Sequence, residues 1–121
     1  MPHRLKVADI MTREVVTLAE DDTLDEARTC MERGRVRHLP VVRDGKLVGL
    51  VTHRDLLAAS LSVFAQVSEQ QERRLLARVP VGALMHDAVT AAPEMPVRDA
   101  ARVLLDNRFG CLPVVGPDGT L

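Results

Sequence analysis

Aromatic side chains are almost absent from this sequence of 121 residues. Phe64 and Phe109 make up its 2% aromatic content, and it contains no tryptophan or tyrosine. Single-stranded nucleic acids bind largely by stacking their bases on aromatic rings, and nucleic acids in general attract an excess of basic groups. With 16 basic and 17 acidic side chains and a net charge of -1, the chain offers neither feature. A nucleic-acid partner is therefore not expected.

Cysteines and long apolar runs are scarce as well. Cys30 and Cys111 are the two cysteines, and they lack the close spacing that marks zinc sites. No apolar run approaches the roughly 18 residues that a membrane-spanning helix needs. Residues 1–4 lead into a polar segment rather than the apolar stretch of a signal peptide. These absences predict a reducing, cytoplasmic setting without membrane association.

What the chain does have is the composition of one ordinary folded domain. It is 46% hydrophobic and 27% charged, with a mass of 13.3 kDa. A hydrophobic share this high, combined with a near-zero net charge, argues against disorder and is enough to build a core.

The sequence is internally duplicated. A shift of 73 residues superposes nine identical residues. A shift of 74 superposes five more, two before that set and three after it. The first set, Val16, Thr17, Ala19, Ala27, Arg35, Leu39, Pro40, Val41 and Val42, recurs as Val89, Thr90, Ala92, Ala100, Arg108, Leu112, Pro113, Val114 and Val115. The second set, Val7, Met11, Asp44, Gly45 and Leu47, recurs as Val81, Met85, Asp118, Gly119 and Leu121. Such a repeat predicts two copies of one fold packed together.

Each copy predicts the same helix. In the first copy, Thr23 and Glu26 form a capping-box pattern ahead of a helical apolar stripe, and Gly34 supplies a left-handed stop, which predicts a helix over residues 23–34. In the second copy, Pro96 takes the first helical turn and Asn107 stands in place of the glycine.

The segments around this helix predict short strands. A brief helical turn ending at Met11 or Met85 leads into a strand at residues 15–17 or 89–90. After the helix, residues 39–42 and 47–52 predict a hairpin that turns at Asp44-Gly45. From Asp55 to about Arg78 the chain lacks a helix breaker, which predicts one long helix linking the copies. Its apolar stripe comprises Leu56, Leu57, Leu61, Phe64 and Val67.

These motifs together resemble a tandem pair of CBS domains. The resemblance rests on residues 7–12, the helix after Thr23, residues 37–42, Asp44-Gly45 and residues 49–55, with partial copies downstream. It implies an α+β fold in which two pseudo-symmetric β-α-β-β-α units pack as a pair. The expected division is unit 1 at residues 1–62, a linker helix region at 63–79, and unit 2 at 80–121.

The second unit departs from this pattern at its C-terminus. The counterpart of residues 48–55 would fall beyond Leu121, so the last strand and helix of unit 2 have no matching sequence. An unpaired hairpin strand leaves a sheet edge open. We therefore expect either that the natural chain continues or that another chain covers this edge.

Thr52 and Asp55 are the strongest candidates for ligand binding. They are three residues apart at a predicted strand-to-helix junction, where a hydroxyl, a carboxylate and free backbone N–H groups share one space. The carboxylate suits the two hydroxyls of a ribose, as the resemblance also implies, and the hydroxyl and helix start suit a phosphate. The alternative is a capping box that needs no ligand. The residues alone favour the cap, whereas the resemblance favours the site.

Basic residues precede the first hairpin strand in copy one. Arg35, Arg37 and His38 are available to neutralise a phosphate or to remain in solvent. By resemblance, Arg37 contacts phosphate, and its counterpart in copy two is Gly110, so one competent site is expected rather than two. The resemblance also places the adenine pocket at Thr12, Val15, Val16, Val36 and His38. Arg54, between Thr52 and Asp55, completes the candidate set.

The sequence predicts no metal site and no enzyme. His38, His53, His86 and Cys111 lack the spacing of metal ligands, and no nucleophile, base and orienting group occur together in a catalytic motif. The resemblance implies a regulatory function instead. It implies a module that binds AMP, ADP, ATP or S-adenosylmethionine between its copies and requires no cofactor, with room for Mg²⁺ alongside ATP. The alternative is a homodimerisation module that binds no small molecule, and a homodimer is expected in either case.

Overall fold

The chain folds into the mixed α and β arrangement that the sequence predicts. The computed structural model describes residues 5–64, 68–107 and 110–121. The helices and strands are, in chain order, α1 (Val7–Ile10), β1 (Leu18–Ala19), α2 (Leu24–Gly34), β2 (His38–Arg43), β3 (Lys46–Thr52), α3 (His53–Phe64), α4 (Glu69–Leu76), a 3₁₀ turn (Val81–Ala83) and α5 (Val97–Asn107).

The first unit contains a three-stranded sheet in the order β1-β2-β3. Strands β2 and β3 are antiparallel, and the turn between them places Asp44 at φ 53° and Gly45 at φ 79°. Positive φ at both central residues is the geometry that two-residue hairpin turns need, and Asp-Gly tolerates it well. The predicted hairpin is present.

The predicted strand at residues 15–17 is wrong. The strand that pairs parallel to β2 is Leu18–Ala19, with Leu18 opposite Val41. Leu18 is buried and joins the core, whereas Val15 and Val16 are exposed. Burial of Leu18, not the β-propensity of the two valines, therefore fixes where pairing starts.

The second copy shows the same shift. Residues 89–90 do not form the predicted strand, and Ala91 instead makes a parallel bridge to Val114. These two residues are the counterparts of Leu18 and Val41 at the repeat offset of 73. The duplicated sequence therefore adopts the same register twice.

Helix α2 begins and ends where the sequence predicts, but its left-handed stop falls on Arg35 instead of Gly34. The Thr23 side chain accepts a hydrogen bond from the Glu26 N–H, and the Glu26 carboxylate accepts one from the Thr23 N–H. At the other end Gly34 is still helical, and Arg35 adopts the left-handed conformation at φ 52°. The Arg35 N–H donates to the Met31 carbonyl and closes the helix.

Pro96 lies just before α5 rather than in its first turn. It occupies the position that Thr23 has before α2, and its carbonyl accepts hydrogen bonds from the N–H groups of Asp99 and Ala100. Asn107 is the last helical residue, matching Gly34. The repeated helix is therefore confirmed, with Pro96 acting at its N-cap.

The single long linker helix is a wrong prediction. The chain forms α3 up to Phe64 and a new helix, α4, from Glu69. Ser68 starts α4 through a reciprocal capping box with Gln71: each backbone N–H donates to the other residue's side-chain oxygen, at 3.1 and 3.2 Å. This side-chain cap competes with helix continuation. Val67, which the predicted stripe includes, lies outside the described residues.

The segment that leads into each unit is hydrogen-bonded to the start of the other unit's helix. The Leu24 N–H donates to the Val79 carbonyl at 2.9 Å, and in the mirrored contact the Val97 N–H donates to the Leu5 carbonyl at 3.0 Å. A matching pair of antiparallel bridges joins Thr23 to Pro80 and Pro96 to Lys6. Each unit's helix start is thus held by the segment that leads into the other unit.

One hydrophobic core lies under the sheet and α2, and it draws on both copies. Its fully buried members include Leu39, Val41 and Val51 from the sheet together with Leu76 from α4 and Val81 from the 3₁₀ turn. Within the described ranges, no helix has the length and hydropathy needed to cross a bilayer.

Candidate functional site

A cleft of about 530 Å³ opens where the first unit meets the loops of the second. Its walls come from β2, the end of β3, the start of α3 and two segments of copy two. The lining residues are Arg37, His38, Leu50, Thr52, His53, Arg54, Leu57, His86, Gly110 and Cys111. Four of the predicted site residues, Arg37, His38, Thr52 and Arg54, are among them.

Asp55 caps helix α3 and also reaches across to the second unit. Its Oδ2 accepts the Thr52 N–H at 3.0 Å, and its own N–H donates to the Thr52 hydroxyl at 3.2 Å. The same Oδ2 lies 3.0 Å from Nε2 of His86. The capping box that the sequence allows is therefore present, but it does not account for every contact of this carboxylate.

Backbone pairing brings His86 to this position. His86 and Leu50 exchange two backbone hydrogen bonds, at 2.9 and 3.1 Å, which attach the second unit's loop to β3. The approach is close because residue 49 is a glycine: a Cβ there would lie 2.7 Å from Sδ of Met85. Gly49 is therefore required for the contact that presents His86 to the cleft.

Gly110 allows a second close contact between the units, at His38. A Cβ on Gly110 would lie 2.5 Å from Nε2 of His38, so this position accommodates the imidazole only without a side chain. Burial lowers the pKa of His38, the Arg37 guanidinium lowers it further, and the Asp55 carboxylate opposes both effects. His38 is thus biased toward the neutral form, in which one ring nitrogen donates and the other accepts.

The cleft combines groups that suit an anionic, partly apolar ligand. Arg37 and Arg54 are exposed cations, and the N-terminus of the twelve-residue helix α3 opens beside them. Guanidinium groups and helix N-termini both favour phosphate. Leu50 and Leu57 supply apolar surface on the same lining. A ligand with a flat apolar part and a phosphate fits this set.

Not every predicted residue reaches this cleft. Thr12, Val15 and Val16 are exposed, Val36 packs against the core, and none of the four is in the lining. Their assignment to an adenine pocket stays a prediction. Asp55 is not in the lining either, but it is hydrogen-bonded to two residues that are, Thr52 and His86.

Sequence reasoning missed other lining residues. Leu50, Leu57 and His86 were not predicted as ligand-binding residues. The motif at residues 49–55 contains Leu50, but His86 carries no sequence signal because its partner Asp55 is 31 residues away.

A second hollow of about 420 Å³ has the opposite character. It is lined by Ala19, Glu20, Asp21, Val42, Arg43 and Asp44. Arg43 is paired with Glu20. The other charged side chains of this lining are the carboxylates of Asp21 and Asp44, which disfavour an anion. Among the described residues, no group of three His, Cys, Asp or Glu side chains is arranged to hold a metal ion.

Comparison with known proteins assigns the family. The model of the CBS domain matches the chain twice, over residues 7–62 and 81–121. The chain belongs to the CBS domain family. The two matched segments contain the two copies of the repeat, so the tandem CBS pair inferred from the motifs is confirmed.

Solved structures and curated relatives agree on the pair. The structure of CBSX2 in complex with AMP is 32% identical, with a TM-score of 0.80, and the match covers 96% of this chain and 85% of that one. CBSX2 is from Arabidopsis thaliana. The CBS domain-containing protein YhcV of Bacillus subtilis is 32% identical over 110 residues, which is 90% of this chain and 71% of YhcV.

Some relatives carry a CBS pair inside a longer enzyme. Inosine-5'-monophosphate dehydrogenase of Thermoplasma acidophilum is 32% identical over 112 residues. The match covers 93% of this CBS pair but only 20% of the dehydrogenase. The likeness therefore concerns the CBS portion and not the enzyme as a whole.

Proposed function

We propose that this CBS pair is a non-catalytic regulatory module that binds an adenine nucleotide or adenosyl compound in the cleft beside Asp55. We take residues 1–62 and 80–121 as its two units and 63–79 as the linker. Ligand binding between the units favours one relative orientation, and an attached domain or partner responds to the shift.

The observation that carries this proposal is the position of Asp55 beside a cationic cleft, in contact with the lining residues Thr52 and His86. Oδ2 of Asp55 is occupied by Thr52 and His86, whereas Oδ1 has no hydrogen-bond partner among the described residues. An open carboxylate oxygen accepts ribose hydroxyls, and Arg37 and Arg54 lie in the same lining to meet a phosphate. The AMP complex of CBSX2, at 32% identity, supports an adenine ligand.

The decisive experiment compares two capping boxes in one chain. Asp55→Ala removes the acidic member of the box at α3, and Glu26→Ala removes the corresponding member at α2. Both variants lose helix-capping hydrogen bonds and are expected to lose about 1 kcal/mol of stability. Only Asp55→Ala is expected to lose AMP affinity, by about tenfold or more, because Asp55, unlike Glu26, contacts residues that line the cleft. Isothermal titration calorimetry measures the affinities, and thermal unfolding measures the stabilities.

Equal AMP affinity in wild type and Asp55→Ala would show that Asp55 only caps its helix. A panel of AMP, ADP, ATP and S-adenosylmethionine in a thermal-shift assay then identifies the preferred compound, because a ligand that binds the folded state raises Tm. If no compound raises Tm, the alternative of a homodimerisation module without a ligand replaces this proposal.

A further inference from the structure

Both ring nitrogens of His86 lie within hydrogen-bond distance of an oxygen atom. Nε2 lies 3.0 Å from Oδ2 of Asp55, and Nδ1 lies 3.0 Å from the carbonyl oxygen of Asp87. A carboxylate and a carbonyl both only accept hydrogen bonds. The doubly protonated imidazolium, which donates from both nitrogens, is therefore the form that satisfies both contacts.

This contact joins the two units at the carboxylate that a ribose would use. Oδ2 of Asp55 already accepts the Thr52 N–H, so His86 takes up remaining acceptor capacity on that oxygen. A ligand that places a ribose diol across both carboxylate oxygens competes with His86. The His86 side chain is 48% exposed, so it has room to swing into the cleft when it is displaced.

When a ligand displaces His86 from Asp55, the free energy of that exchange depends on whether the ligand carries a negative charge that can pair with the displaced imidazolium. Adenosine offers no negative charge, so His86 loses an ion pair without replacement. AMP carries a phosphate, which can take over the charge in the same cleft. The charged and titratable groups around His86 are Arg37 just before β2, His38 in β2, the residues His53, Arg54 and Asp55 at the start of α3, Cys111, and the neighbouring Asp87.

We propose that His86 is a specificity-determining residue of this cleft, selecting phosphorylated adenosine ligands over uncharged ones by competing for Asp55. This inference rests on the proposed function. It adds that the second unit contributes the selective side chain, His86. Selectivity then depends on the contact between His86 and Asp55 that exists before the ligand binds.

The test measures adenosine and AMP binding to wild type and to His86→Leu by calorimetry. Leucine cannot donate to Asp55, and the backbone pairing with Leu50 does not depend on the side chain. We expect adenosine to bind about two- to fivefold more tightly to the variant, the effect of removing one exposed ion pair. AMP is expected to bind no more tightly, so the preference for AMP falls.

His53→Leu is the matched control, because it removes another imidazole from the same lining, whereas among the described residues the histidine hydrogen-bonded to Asp55 is His86. It is expected not to raise adenosine affinity. Unchanged adenosine affinity in His86→Leu, or an unchanged preference for AMP, would overturn the inference while leaving the proposed function in place. If neither compound binds the wild type, this inference fails, whereas the proposed function is decided separately by the thermal-shift panel that includes ADP, ATP and S-adenosylmethionine.

Discussion

Asp55 and Glu26 have the same local role and different surroundings. Each accepts a hydrogen bond from the backbone of a threonine three residues earlier, and each donates its own N–H to that threonine's hydroxyl. Only Asp55 also contacts a residue from the other unit, His86. At the scale of the residue, one carboxylate therefore serves both as a helix cap and as a contact between the two units.

His38 makes the protein's stability depend on pH. Because its pKa is lowered on folding, the unfolded chain binds a proton more readily than the folded one. The stability that neutral His38 provides is therefore complete above the ordinary histidine pKa of about 6.5. It is lost as the pH falls through the lowered folded-state pKa.

We expect His38→Gln to reduce the fall in Tm between about pH 7.5 and about pH 5, because imidazole titrates in this range. Scanning calorimetry at several pH values measures the effect. The wild-type protein, measured under the same conditions, is the reference. A wild-type slope in His38→Gln would show that other groups cause the acid sensitivity.

At the scale of the element, β3 is the platform to which the second unit attaches. Its Leu50 pairs with the backbone of His86, and its first residue, Lys46, forms a bridge to Thr120. The Leu47 N–H also donates to the Gly119 carbonyl at 3.0 Å. Strand β3 therefore holds in place both His86 at the cleft and the second Asp-Gly turn.

Gly49→Ala tests how close that attachment must be. The new methyl group would lie 2.7 Å from Sδ and 3.1 Å from Cβ of Met85, so Met85 and its neighbour His86 must move away from β3. We expect a loss of about 1–3 kcal/mol in the free energy of unfolding, typical of overpacking. Weaker AMP binding is expected as well.

Gly34→Ala is the matched control. Its Cβ would meet Val36 at an ordinary 3.6 Å, and the residue lies within helix α2. Alanine is favoured over glycine in helices, so this variant is expected to gain about 0.5–1 kcal/mol. Urea unfolding of both variants would show opposite signs. No loss of stability in Gly49→Ala would show that Met85 moves aside without weakening the attachment.

At the scale of the whole molecule, the two units form one folded body. Each unit's helix start is hydrogen-bonded to the segment that leads into the other unit, and the main core includes Leu76 and Val81 from outside the first sheet. The second unit is less buried on its own: α5 has no buried residue, whereas α2 buries Leu24, Ala27 and Met31.

Leu76→Ala and Leu105→Ala test this dependence. Leu76 is fully buried in the shared core, whereas Leu105 is 79% exposed on α5. We expect Leu76→Ala to lose about 2–5 kcal/mol of stability because it leaves a cavity. Leu105→Ala is expected to change stability by less than about 0.5 kcal/mol. Urea unfolding should show one transition for each, and a separate early transition in Leu76→Ala would mean that the units unfold independently.

The sequence by itself determined the repeat, which appears when the chain is compared with itself. It also determined the helices of both copies, the hairpin with its Asp-Gly turn, and the Thr52–Asp55 cap, because these depend on residues a few positions apart that interact in nearly the same way in any fold. The same reasoning failed at residues 15–17 and in the linker. There, burial of Leu18 and the cap at Ser68 outweighed local propensity.

Only the tertiary structure decided what surrounds Asp55. The cleft needs backbone pairing between Leu50 and His86, and glycines at 49 and 110 that let the two copies approach. Contacts between residues more than 30 positions apart depend on how whole units pack, because chain entropy opposes such contacts until many of them form together.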